Sequence, residues 1–211
     1  MNIGIVGAGN LGTGLTKRLI AQGHGVMLSF TRSDDTLRNA AAALGVRAGT
    51  PSQAAEFGHV VILSTKWANT EEAIRQIGSI AETKVLWDCT NPMKSDMSGL
   101  LIGTTTSGGE EVARLAPWAK VVKAIPPFAE QLHSPSALAG GIRPAVFICG
   151  DDSGARKTIA ELVEVIGAAP IDAGPLMHAR YTEPACMLLV QLAYTQGFGT
   201  QIGLTLAAIS S

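Results

Sequence analysis

NIGIVGAGNLG, residues 2–12, starts as a short apolar run, breaks at a glycine and then spaces its glycines as G-x-G-x-x-G. The apolar run bounded by glycine reads as a buried strand. Leu11, Leu15 and Leu19 then recur at helical spacing, and Gly23 is placed to stop that helix. Strand, glycine loop and helix in this order open a dinucleotide-binding unit. Gly7 permits the tight turn, Gly9 lets the backbone approach a pyrophosphate, and Gly12 lets the helix pack close to the strand. The N–H groups at the helix start then face the phosphates.

A second strand, GVMLSF (25–30), follows at the spacing such a unit requires. At its end an NAD-binding protein places an Asp or Glu for the ribose 2′-hydroxyl. Here the chain reads SFTRS, with Ser29, Thr31, Arg32 and Ser33 and no acid. A guanidinium among hydroxyls suits a 2′-phosphate, so the expected dinucleotide is NADP. Asp34 and Asp35 are explained as first-turn residues of a helix capped by Ser33 and running through TLRNAAAAL (36–44).

The alternation continues outward. Strands are expected at 46–49, 59–65, 84–90, 120–125, 145–150 and 169–174, with helices at 70–78, 108–116 and 155–167 between them and a short helical turn at PSQAAEF. Strands joined by crossover helices imply a parallel sheet covered on both faces. The fold class is therefore α/β, a doubly wound Rossmann sheet, with a small C-terminal helical segment. The boundary falls between a dinucleotide-binding domain, 1–175, and a C-terminal helical segment, 176–211. From Tyr181 to Ile209 that segment reads as helix, apolar on more than one face, and so should pack against the rest of the protein or against a second subunit of a homodimer.

The 211 residues carry a net charge of −1 and are 46% hydrophobic. That balance gives no pull toward nucleic acid or an anionic membrane. Cys89, Cys149 and Cys186 are far apart, without C-x-x-C spacing, and read as reduced thiols of a cytoplasmic protein. A chain opening directly in a strand suggests no signal peptide, and no apolar run reaches the ~20 residues of a membrane helix.

The runs IGIVGAGNLGTGL, SFTR, VVKAI, CGDD, IDAGPL and RYTEP together resemble the coenzyme F420-dependent NADP oxidoreductase family, over nearly the whole chain. That family includes the deazaflavin:NADP reductases and is related to the reductase domain of eukaryotic metalloreductases. The resemblance implies NADP as cofactor, with F420 as a second coenzyme. It maps cofactor contacts onto Gly7, Gly9, Asn10, Leu11, Gly12, Ser29, Thr31, Arg32 and Ser33. It also implies a substrate cleft closed by the C-terminal segment.

Cleft walls are expected just beyond strand C-termini, at 64–67, 90–92 and 123–127. Thr65 and Trp67 should flank the cofactor, and Asn91 should hydrogen-bond the nicotinamide or its ribose. Proton donors are few: Lys123, read mainly as a lysine snorkelling from a strand end, and His133 and His178, in segments beside the cleft. His24 and His59 stand at strand starts, the wrong end of the sheet. Glu183, before Pro184, reads as a first-turn acid of the last helix. No metal-ligand spacing and no G-x-S-x-G elbow are present, so neither a metal site nor a hydrolase is expected. Three functions compete: hydride transfer between NADP(H) and a flavin-like or deazaflavin coenzyme, NADPH-dependent reduction of a small carbonyl or imine, and a non-catalytic NADPH sensor.

Overall fold

The computed structural model describes residues 1–30, 33–79, 84–134 and 141–207. Eight strands form one sheet: β1 (Asn2–Val6), β2 (Gly25–Ser29), β3 (Arg47–Gly49), β4 (Val60–Leu63), β5 (Val85–Asp88), β6 (Lys120–Lys123), β7 (Ala145–Gly150) and β8 (Ala169–Gly174). Their order is β3-β2-β1-β4-β5-β6-β7-β8, the doubly wound arrangement with two strands added at one edge. Helices α1 (Asn10–Ala21), α2 (Asp34–Leu44), α3 (Pro51–Phe57), α4 (Thr70–Ile77), α5 (Gly108–Leu115), α6 (Ala129–His133), α7 (Ser153–Val165) and α8 (Ala179–Val190) cover it.

Local chemistry explains the boundaries. The Ser33 hydroxyl accepts from the Thr36 amide and caps α2, and Gly45 closes it in the left-handed conformation. Thr50 and Gln53 form a capping box around α3, with Pro51 at its first position. The central strands are apolar on both faces, so the sheet separates two cores. On one side Ile3, Ile5, Leu15, Leu19, Ile159 and Leu162 pack together. On the other, Val61, Leu63, Ile74, Ile77 and Val112 do so.

Three expectations are corrected. The sheet is not wholly parallel: β7 runs antiparallel to β6, a pairing that needs no crossover helix of the kind the strand–helix alternation implied. The C-terminal helix starts at Ala179 and ends at Val190. A π-turn (Gln191–Thr195) follows, then Gly197 and Gly199 at positive φ send the chain onward as an extended strap. Apolar side chains continue along that strap, which is why the sequence pattern read as helix. The long loop after β6 also contains α6, too short to show periodicity.

The sheet reverses its order between β1 and β4, and their following loops part there to leave a crevice. Gly7 sits in it at φ 124°, where an added Cβ would lie 2.6 Å from the Ser64 carbonyl. A Cβ on Gly12 would lie 1.9 Å from the Gly7 oxygen. Both glycines are obligatory for packing, and the Ser64 hydroxyl completes the junction by donating to Gly7 O at 2.9 Å.

Candidate functional site

The crevice opens into a cavity of ≈ 1020 Å³ with two chemically distinct halves. One wall comprises Gly9, Asn10 and Leu11 of the glycine loop, the segment Ser64–Ala68 after β4, and Cys89–Asn91 after β5. The opposite half is built mainly from Met93, Met97 and Leu101, the IPPF turn before α6, Phe147 of β7, and Thr182, Cys186, Leu189 and Val190 of α8, with Lys94, Ser95, Asp96 and Glu130 among them. Tyr194 and residues 202–204 of the strap complete it.

The first half has the chemistry of a phosphate cradle. Gly9 occupies the N-cap of α1 and offers no side chain, and no acid stands in the first turn. The opening amides of the helix are therefore left to an outside acceptor, with the positive end of the dipole behind them. A Cβ on Gly9 would meet nothing within 4 Å, so a ligand can approach this backbone directly. These residues fit a pyrophosphate.

At the end of β2 the expected cluster divides. Ser29 is fully buried and its hydroxyl donates to Ile5 O at 3.0 Å, so it is a sheet residue and not a phosphate ligand. Ser33 serves as the α2 cap with an exposed side chain. Thr31 and Arg32 lie outside the described residues. Phe30, just before them, bends the chain at φ 58°, and its carbonyl accepts from the Ala8 amide across the glycine loop. Thr65 and Trp67 stand in the cavity wall as expected, with Thr65 Oγ1 3.2 Å from Thr70 Oγ1.

None of the three proton-donor candidates reaches the cavity. His133 turns toward α1, its Nε2 2.9 Å from Asn10 O and packed beside Gly14. His178 sets its Nδ1 2.5 Å from Ala173 O. Lys123 does not snorkel: it is 0% exposed, 2.6 Å from Asp88 Oδ2 and 3.1 Å from Glu183 Oε1. Burial alone would lower its pKa, but the two carboxylates together outweigh burial and leave it raised.

Glu183 likewise is no first-turn acid, since α8 begins four residues before it. Its carboxylate accepts from the amides of Gly108 (2.8 Å) and Gly109 (2.9 Å), occupying the N-terminus of α5 from within the protein. The expectation failed because Glu183–Pro184 looks like a helix start, whereas Pro184 lies inside the helix. Asp88 was missed altogether. Its signal was available: Asp88 and Lys123 are register partners on adjacent parallel strands, opposite charges ending two apolar runs.

This buried ion cluster underlies the cavity floor at Cys89, Thr90 and Asn91. Asn91 lines the cavity and its Nδ2 lies 3.4 Å from Glu183 O. The thiols nearby are unreactive by environment. Burial pushes Cys149 up to about 11 and Cys186 up to about 12, and raises Cys89 well above its usual value. His24 and His59 sit at the far end of the sheet, where His59 Nδ1 accepts from the Asn2 amide. Among the described residues no cluster of His, Cys, Asp or Glu is arranged to hold a metal.

Residues 2–92 match the family described as NADP oxidoreductase, coenzyme F420-dependent. Over that stretch, a little under half of the chain, the sequence is similar to the coenzyme F420-dependent NADP oxidoreductase family. The match covers the glycine loop, β2 and the segments after β4 and β5, so the family resemblance and the phosphate cradle concern the same residues. A presumptive F420-dependent NADP reductase from Arthrobacter sp. FB24 superposes with a TM-score of 0.87 at 25% identity, over 98% of this chain and 99% of that one. Metalloreductase STEAP3 of Rattus norvegicus is 28% identical over 86% of this chain, which spans 35% of the length of that relative. An imine reductase from Pseudomonas sp. shares the fold, with a TM-score of 0.69 at 15% identity, over 92% of this chain and 63% of its own. The family is one of NADP-linked oxidoreductases.

Proposed function

We propose that the protein transfers a hydride between NADP(H) and a flavin-like or deazaflavin ring, F420 in the family's own terms. The carrying observation is the uncapped N-terminus of α1 opening on a cavity whose far half is mostly apolar. When bound, NADPH supplies the hydride and the second ring takes it up. The chain's task is to fix both rings in contact and exclude water, which needs shape and apolar walls more than a titratable group. Supporting this, Lys123, His133 and His178 are all engaged away from the cavity. The four Met and Leu side chains of 93–101 and 189 and the IPPF turn suit a flat ring system.

Reduction of a small carbonyl or imine is the second reading, favoured by one group. Tyr194 stands in the apolar half, its hydroxyl held protonated by burial and by Glu130. Such a phenol could donate the proton that carbonyl reduction requires.

The test is direct. Titrated with both coenzymes, the protein should bind NADPH at least tenfold more tightly than NADH, since a phosphate–guanidinium pair is worth ~1.5–3 kcal/mol. Equal affinity, or preference for NADH, overturns the NADP assignment. NADPH oxidation is then followed against F420, FMN and small carbonyls. Turnover confined to the ring acceptors supports the first reading, loss of carbonyl turnover in Tyr194→Phe supports the second, and tight binding with no turnover points to a sensor.

A further inference from the structure

Thr90 lies in the segment after β5, and each of its polar atoms is already held. Its amide and its hydroxyl both meet Asp88 Oδ1, at 2.9 and 2.7 Å, and its carbonyl accepts from Lys123 Nζ at 2.8 Å. Asp88 is fully buried and lies 2.6 Å from the Lys123 ammonium. The one proton of the Thr90 hydroxyl is therefore committed to a carboxylate. What remains to that oxygen is its acceptor capacity, sharpened by the negative charge behind it.

Thr90 lines the cavity, and its position on the sheet identifies the donor. The phosphate cradle lies at β1, and SFTRS, where the adenosine end is expected, follows β2. The other half of a dinucleotide must then run the opposite way, across β4 and β5. Two strand spacings separate β1 from β5, about 10 Å, a span that a ribose and a pyridine ring can cover. We infer that Thr90 Oγ1 accepts a hydrogen bond from the carboxamide N–H of the nicotinamide, with Asp88 and Lys123 as positioning residues that fix its acceptor face. This rests on the NADP reading above and adds to it the contact that orients the ring, hence the face presented for hydride transfer.

The experiment compares NADPH with its 3-acetylpyridine analogue, in which a methyl ketone replaces the carboxamide and removes the N–H donor. Affinities are measured by calorimetry on the whole chain, for wild type, Thr90→Val and Thr90→Ser. Wild type should favour NADPH over the analogue by about five- to tenfold, one hydrogen bond. Thr90→Val should weaken NADPH by that factor and leave the analogue unchanged, while Thr90→Ser retains the preference. 2′,5′-ADP, which has no nicotinamide, should bind all three proteins alike and shows that the variants are folded. Equal binding of NADPH and analogue by wild type, or equal loss of both in Thr90→Val, overturns the inference while 2′,5′-ADP binding leaves the NADP reading standing. Failure of wild type to bind 2′,5′-ADP and NADPH overturns both.

Discussion

A lysine with no exposure, flanked by two carboxylates with almost none, is a costly thing to place beside a cavity. Desolvating three charges consumes much of the attraction between them, so such clusters are weak contributors to stability yet expensive to break. In this protein the α5 amides share the load of Glu183, and Thr90 shares that of Asp88. Gly109 lies 3.1 Å from the Lys123 Cε when given a Cβ, so the helix start must stay bare for the lysine to pass. Lys123→Met should lower unfolding stability by about 3–5 kcal/mol, because it leaves two buried carboxylates unopposed. Adding Asp88→Asn and Glu183→Gln should restore a large part of that loss. Urea unfolding of the single and triple variants measures both. If the single variant loses under 1 kcal/mol, the carboxylates are solvated and the cluster is not as described. The sequence offered Lys123 as a charge in an apolar strand, but a lone lysine is equally a snorkelling one. Only pairing across β5 and β6 distinguishes them.

At the scale of elements, α6 joins the two halves of the cavity. Arg18 of α1 reaches across to cap it, donating to the carbonyls of Gln131, Leu132 and Ser134, while Asn10 and Glu130 approach at 3.3 Å. From the other side of α6, the Gln131 amide donates to Thr200 O at 2.6 Å and Ile202 O at 2.8 Å. The strap is also tied by the Ala145 amide to Leu204 O. The phosphate helix and the strap over the apolar half thus meet through one five-residue helix. Gln131→Leu removes both side-chain bonds to the strap and leaves the cradle untouched. It should raise the KM for the hydride acceptor by about tenfold at nearly constant NADPH affinity, at ~0.5–1.5 kcal/mol per lost bond. Weakening of NADPH binding by a similar factor would show instead that α6 supports the cradle. Neither α6 nor the strap was legible in sequence. Five residues show no helical period, and the strap's contacts are made by backbone carbonyls, which carry no sequence signal. The glycine loop, the Ser33 cap and the strand ends were legible because their constraints act within a few residues.

For the molecule as a whole, the sheet leaves few apolar groups uncovered, and the exceptions gather toward the C-terminus. Tyr181 and Leu188 lie two turns apart on α8, and Phe198 and Leu206 follow on the strap, each more than half exposed. Scattered apolar side chains are ordinary on a protein surface, whereas a concentration on one terminal segment is what a subunit interface would cover. Net charge of −1 does little to keep two copies apart. A second copy meeting this face about a two-fold axis would cover both helices with the same residues, the usual economy of a homodimer. Light scattering at micromolar concentration should then give about twice the 21.8 kDa chain mass. Leu188→Glu, exposed and absent from either core, should leave unfolding stability within about 0.5 kcal/mol and shift the mass toward one chain. A wild-type protein that stays at one chain mass across this range would mean that the apolar segment serves only the cavity it helps to close.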